Sequence, residues 1–197
     1  MKIDERPGSG LAELISKPFY SLSPNLISLV SIVFAALAGY LYFEGQILLF
    51  AIAVIISAGM DAIDGQVARH TGKASKKGDL IDHVLDRYSD IFIILGIALS
   101  AYGNIFLGML AMEGILMTSY MGTQAQALSA VRDYGGLAGR ANRLLILIVL
   151  GPLQFLVRVS IIYAGTVINV TNATLILFFI LGNATALYRF SRLYHSL

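Results

Sequence analysis

The chain has no cysteine, so disulfides, thiolate metal sites and thiol nucleophiles are excluded. Charge is scarce as well: Asp, Glu, Lys and Arg make up 13% of the 197 residues, where a soluble domain carries about 25%. With 57% hydrophobic residues and a mean hydropathy of +0.75, the chain reads as an integral membrane protein forming one domain over residues 1–197. The N-terminal MKIDERPGSG lacks the apolar core of a signal peptide. Proline is sparse, and the one prominent Gly-Pro interruption, Gly151-Pro152, predicts a kink within a helix.

What is present in abundance is apolar sequence at membrane-spanning length, about 20 residues per helix. The pattern predicts an all-α membrane protein with six transmembrane helices, at roughly 25–43, 47–68, 80–101, 104–127, 141–162 and 170–190. Residues 1–22 form a leader. Within it Leu11, Leu14, Ile15 and Phe19 recur near helical spacing beside Glu13 and Lys17, which predicts an amphipathic helix lying along the membrane. Ser23-Pro24-Asn25 then ends that helix and starts the first span.

Basic residues set the orientation. Of the 14 Lys and Arg, all but Arg87 and Arg158 fall on the leader, on two alternate loops and on the C-terminus. Both termini are therefore expected in the cytosol, in a multi-pass cell-membrane protein. No nucleic-acid partner is expected; the partner of the apolar spans is the lipid bilayer.

Four aspartates interrupt this apolar background. Asp61 and Asp64 close the second span, and Asp82 and Asp86 open the third. A carboxylate at the centre of a membrane helix costs roughly 2.5–3.5 kcal/mol, so four unpaired ones would cost on the order of 10 kcal/mol. Helical spacing puts Asp61, Asp64 and Ala68 on one face, and Asp82 and Asp86 on one face of the next helix. A short connection makes these helices antiparallel neighbours in this reading, so the carboxylates converge at the cytosolic end. Such an all-oxygen cluster suits Mg²⁺, Mn²⁺ or Ca²⁺ rather than Zn²⁺. Four carboxylates can hold a pair of ions, and paired ions clamp a displacement at phosphorus. Gly65 and Gly78 leave room for a ligand or a neighbouring helix, and Arg69 offers a fork of donors for phosphate.

The segment Asp61 to Asp86 reads D-x2-D-G-x2-A-R-x8-G-x3-D-x3-D, and resembles the signature of the CDP-alcohol phosphotransferase family at all eight fixed positions: Asp61, Asp64, Gly65, Ala68, Arg69, Gly78, Asp82 and Asp86. The resemblance implies attack of an acceptor hydroxyl on the β-phosphorus of a CDP-linked donor, with CMP leaving. It implies that Asp61, Asp64 and Asp82 hold one metal ion, Mg²⁺ or Mn²⁺, and that Asp61, Asp82 and Asp86 hold a second. Asp86 is the implied base for the acceptor proton. Gly65, Ala68, Arg69 and Gly78, with Asp61, Asp64 and Asp82, are the implied CDP site. Homodimers are also implied by the resemblance.

The apolar spans favour a CDP-linked lipid, CDP-diacylglycerol or CDP-archaeol, as donor. The acceptor is expected to be a small polar or phosphorylated alcohol, with inositol 1-phosphate as the first choice and glycerol 3-phosphate as the alternative. Lys73, Arg132, Arg140 and Arg143 are the candidates for holding an acceptor phosphate. Relatives that use inositol phosphate resemble the chain at Ser119-Tyr120 and at Arg140-Ala-Asn-Arg143, while Gln124 and Gln126 stand where many of them carry charge. Asp90 is expected to support Asp86 or pair with Arg87, Glu113 to be buried and either protonated or paired with a polar group on another helix, and His83 to point away from the acidic face. A cation or proton transporter is the rival class, since intramembrane acids also mark ion pathways. Against it, these acids sit at one end of the spans.

Overall fold

The computed structural model describes residues 10–129, 133, 135–157, 159–163 and 166–197. Seven helices run α1 (Gly10–Ser16), α2 (Pro24–Phe43), α3 (Ile47–His70), α4 (Lys76–Leu99), α5 (Ile105–Ser129), α6 (Arg140–Leu156) and α7 (Val170–Ser196). A 3₁₀ turn over Lys17–Phe19 follows α1, and two three-residue strands, β1 (Ile161–Tyr163) and β2 (Thr166–Ile168), precede α7.

Six long helices thus stand where six spans are predicted. Four of them, α2, α3, α5 and α7, are long and apolar enough to cross a membrane by length and composition. The acid-rich α4 and the 17-residue α6 fall outside that description. The predicted fifth span, 141–162, is shorter in the structure. Pro152 lies inside α6, Val157 is extended, and Ile161 to Tyr163 pair antiparallel with Thr166 to Ile168. Proline withholds a backbone donor, and the β-branched Val157, Val159, Ile161 and Ile162 favour extended backbone. The fold of the described residues is accordingly helical, as expected, with one short antiparallel strand pair added.

The leader also differs from the expected single amphipathic helix. α1 has seven residues, and Pro18 sits in the 3₁₀ turn that follows. Leu14 and Ile15 are exposed and Ser16 is buried. Tyr20 then stacks on His70 of α3, with ring centroids 4.0 Å apart. Ser23 caps α2, its hydroxyl accepting from the Leu26 amide at 3.3 Å, with Pro24 in the first turn.

Small residues let the helices close on one another, as membrane helices require. α2 crosses α4 at Gly39 and Gly96, where a methyl group on Gly96 would run into the Gly39 carbonyl. α5 crosses α7 at Gly114 and Gly182, and the Thr118 hydroxyl donates to the Gly182 carbonyl at 2.9 Å. α2 and α3 are joined by a reciprocal pair: Ser31 and Ser57 each donate a hydroxyl to the other's carbonyl at 2.9 Å. The core around Tyr42, Phe50, Ile97, Leu150 and Phe178 is fully enclosed.

The packing pattern decides the shape of the acidic region. α2 packs against both α3 and α4, whereas α3 and α4 scarcely touch. The expectation that α3 and α4 are packed neighbours is therefore corrected. They are consecutive, but α2 sits between them as a wedge, which leaves a gap across which their carboxylates face each other.

Candidate active site

The turn between α3 and α4 is short because it is tightly bonded. Gly72 adopts φ +66°, a left-handed conformation that favours glycine. The Ala68 carbonyl accepts from the amides of Lys73 at 3.0 Å and Ala74 at 3.1 Å. Ser75 then caps α4, accepting from the Gly78 amide at 3.1 Å. The last turns of α3 and the first turns of α4 are thereby held at one end of the bundle.

Across the gap, one carboxylate oxygen each from Asp61, Asp64 and Asp82 lies within 4.8 Å of the others. Asp64 is buried and accepts from the Ser28 hydroxyl of α2 at 2.5 Å. Asp82, Asp86 and His83 form a second cluster with the same mutual limit of 4.8 Å. Arg140, at the start of α6, joins the two ends. It lies 3.0 Å from Asp61 Oδ1 and forms an ion pair with Asp86. The donor set is carboxylate oxygen, with one imidazole at the margin, which fits a hard divalent cation such as Mg²⁺ or Mn²⁺.

Two cavities open beside the cluster. The first, about 200 Å³, is lined by Asp64, Gly65, Ala68, Arg69, Gly78 and Asp82, with Pro24, Asn25 and Ser28 of α2 and Lys73 to Ser75 of the turn. Six of the eight signature residues thus share one hollow. No helix crosses at Gly65: a Cβ there would meet only the Arg69 guanidinium, at 3.4 Å. The bare backbone at Gly65 therefore faces the cavity rather than a neighbouring helix.

The second cavity, about 310 Å³, is lined by Asp82, His83 and Asp86 together with Arg87, Arg140, Arg143 and Arg189. Asp79 and Asp82 line both cavities. Four guanidinium groups share this hollow with the carboxylates of Asp79, Asp82 and Asp86, and planar guanidinium forks match phosphate oxygens.

These arginines are braced to different degrees. Arg143 is buried, donating to Asp90 Oδ2 at 2.7 Å and to the Ala138 carbonyl at 2.7 Å. Arg87 lies 3.3 Å from Asp90 and 3.6 Å from Asp86, and bonds Ser119. Asp90 therefore pairs with two arginines at once. Arg189, near the end of α7, donates to the Thr118 carbonyl at 2.6 Å and the Gly135 carbonyl at 2.8 Å.

The sequence-predicted acceptor set is divided by the structure. Arg140 and Arg143 line the second cavity, Lys73 lines the first, and Arg132 lies outside the described residues. Arg189 and Arg87 line this cavity too, although neither belongs to the predicted acceptor set. Arg189 lies 46 positions beyond Arg143, and nothing local in the sequence ties it to Asp82. Two further expectations are corrected. His83 faces the second cavity, its imidazole 3.4 Å from Asp79 and 3.9 Å from Asp82. Glu113 is exposed on α5 rather than buried, while the expected pairing with a polar group on another helix is met: it accepts from the Asn183 amide of α7 at 2.7 Å.

Residues 21–184 match the family model for CDP-alcohol phosphatidyltransferase. The chain is 32% identical over 145 residues to archaetidylinositol phosphate synthase of Pyrococcus horikoshii, covering 74% of each chain. Its fold is similar to crystal structures of Mycobacterium tuberculosis phosphatidylinositol phosphate synthase. One, with CDP-DAG bound, matches at TM-score 0.77 and 18% identity over 94% of each chain. Another, in complex with manganese and citrate, matches at TM-score 0.74 and 18% identity over 94% of this chain and 88% of that one.

Proposed function

The chain belongs to the CDP-alcohol phosphatidyltransferase family, and on that premise we propose that it transfers a phosphatidyl-type group from a CDP-linked lipid to the hydroxyl of inositol 1-phosphate, releasing CMP. It is a membrane transferase of phospholipid biosynthesis. The donor in this reading is CDP-diacylglycerol or CDP-archaeol, with its tails in the bilayer and its headgroup at the acidic end of α3. The active site and both termini face the cytosol, and the enzyme works as a homodimer.

One observation carries the acceptor assignment. Asp82 stands on the border of two hollows, one lined by the signature residues and the other by four arginines. That arrangement supports a nucleotide-linked donor on one side and a phosphorylated acceptor on the other, meeting at the carboxylate cluster. The 32% identity to archaetidylinositol phosphate synthase supports inositol phosphate in particular.

The chain's own groups have distinct tasks in this scheme. Gly65 and Ala68 let the diphosphate approach α3, and Arg69 hydrogen-bonds its oxygens. Asp61, Asp64 and Asp82 would hold one divalent ion, and Asp61, Asp82 and Asp86 a second. Bound there, Mg²⁺ or Mn²⁺ would neutralise the diphosphate and the departing CMP. Asp86 takes the proton from the acceptor hydroxyl as its oxygen bonds to the β-phosphorus and the bond to CMP breaks. Arg140 and Arg189 hold the acceptor phosphate and turn its ring toward Asp86. Asp90 keeps Arg87 and Arg143 in place around it.

The test is an acceptor screen. Purified protein with Mg²⁺ or Mn²⁺ and a CDP-linked lipid is given inositol 1-phosphate, glycerol 3-phosphate, inositol or serine, and CMP release is followed. Inositol 1-phosphate should give the highest kcat/KM. Faster turnover with glycerol 3-phosphate reassigns the acceptor. Silence with every acceptor, together with tracer-ion flux in liposomes, overturns the reading in favour of a transporter.

A further inference from the structure

α2 carries no residue of the acidic signature, yet it reaches the cluster. Ser28 is buried on the second turn of α2, and its hydroxyl lies 2.5 Å from Asp64 Oδ2 and 3.2 Å from the Pro24 carbonyl. A serine hydroxyl has one proton to donate, and the shorter, charge-assisted contact to the carboxylate takes it. Bonded at one oxygen, Asp64 loses much of its rotational freedom, and it is held where one of its carboxylate oxygens lies within 4.8 Å of oxygens of Asp61 and Asp82.

The position of Ser28 is itself fixed by the wedge. α2 is capped by Ser23, locked to α3 by the Ser31 and Ser57 pair, and pressed against α4 at Gly39 and Gly96. Asp64 belongs to α3 and Asp82 to α4, and these helices scarcely touch. The element that spaces them is the one that supplies the hydroxyl.

We propose that Ser28 is a positioning residue that orients Asp64 for a divalent cation, so that the cation site is completed by a helix outside the signature. This rests on the metal-dependent reading of the cluster given above. Ser28 also borders the donor cavity, so a direct contact with the donor is the competing assignment.

Mn²⁺ binding to the purified full-length chain in detergent separates the two, read by electron paramagnetic resonance of free Mn²⁺ without any lipid substrate. Removing an outer partner of a metal ligand weakens metal affinity roughly 10–100-fold, so Ser28→Ala should bind Mn²⁺ at least about 10-fold more weakly. Ser28→Thr, which keeps the hydroxyl, should bind close to wild type, and both variants should keep the wild-type circular dichroism. Wild-type Mn²⁺ affinity in Ser28→Ala, with a raised KM for the CDP-linked lipid, overturns the proposal and gives Ser28 to the donor. A loss shared equally by Ser28→Thr overturns it too. If the wild-type chain itself takes up no Mn²⁺, the metal reading of the cluster falls along with it.

Discussion

Arg140 Nη2 lies 3.0 Å from Asp61 Oδ1, joining residues 79 positions apart. The same guanidinium pairs with Asp86, so one side chain of α6 ties the end of α3 to the start of α4. It also borders the arginine-lined cavity. Arg140 thus stands between the carboxylate cluster and the second cavity.

Arg140 and Lys73 should therefore separate kinetically, although both are basic and both could serve a phosphate. They line different cavities. Losing a charge-assisted hydrogen bond costs about 1.5–3 kcal/mol, or roughly 10–100-fold in affinity. Arg140→Gln should raise KM for the acceptor by that factor. Lys73→Ala should raise KM for the CDP-linked lipid and leave the acceptor KM alone. Steady-state kinetics with each substrate varied in turn checks both, and a Lys73→Ala effect confined to the acceptor would contradict the division.

Asp86 lines the arginine-rich second cavity and not the first, which on the proposed function puts it beside the acceptor. Asp86→Asn should lower kcat about 10²–10⁴-fold, the usual contribution of a general base. Binding of the CDP-linked lipid, measured by calorimetry, should persist. Normal turnover in this variant removes Asp86 from the role of base.

Gly65→Ala makes a different demand. The nearest side-chain atom to a new Cβ is Arg69 Nη1, at 3.4 Å, so the protein alone accommodates the methyl group. The variant should unfold at the wild-type temperature yet bind the CDP-linked donor at least several-fold more weakly. A fall in thermal stability without a change in donor affinity would make Gly65 a packing residue instead.

At the α2–α4 crossing the prediction runs the other way. Gly96 has the Gly39 backbone where a Cβ would sit, and backbone cannot rotate aside as a side chain can. Gly96→Val should destabilise the fold by about 1–3 kcal/mol or more. A lowered midpoint in thermal scans in detergent tests it, and an unchanged midpoint would mean that the crossing is loose.

Tyr42 provides a control remote from the chemistry. Its hydroxyl meets the Thr171 hydroxyl at 2.5 Å, and Thr171 in turn donates to Gln154 at 2.8 Å, joining α2, α7 and α6. At 1.5 Å per residue, Tyr42 stands about 21 Å along α2 from Ser28. Tyr42→Phe should cost about 1 kcal/mol of stability with kcat and both KM values unchanged. A kinetic change would show that packing at that end reaches the active site.

The signature, the facing carboxylate pairs and the helical, membrane-spanning character were legible in the sequence alone. Each depends on a period or a spacing a few residues long. Asp61 and Asp64 share a face because three residues make most of a helical turn, and Gly72 and Ser75 close and restart helices through bonds to their neighbours. Hydropathy placed the starts of the six long helices within four residues for the same reason. It overran α6 because the β-branched run from Val157 favours a strand, and that competition cannot be read from hydropathy.

The tertiary structure alone decided what stands around the carboxylates. No local pattern announces that α2 separates α3 from α4, that Ser28 reaches Asp64 from 36 positions away, or that Arg189 joins Arg140 at the second cavity. Nor does one separate Lys73 from the arginines, since in the sequence all are basic residues at helix ends. Those facts follow from which helices pack together. That is governed by where small residues such as Gly39, Gly96, Gly114 and Gly182 allow backbones to meet, and such meetings leave no period along the chain.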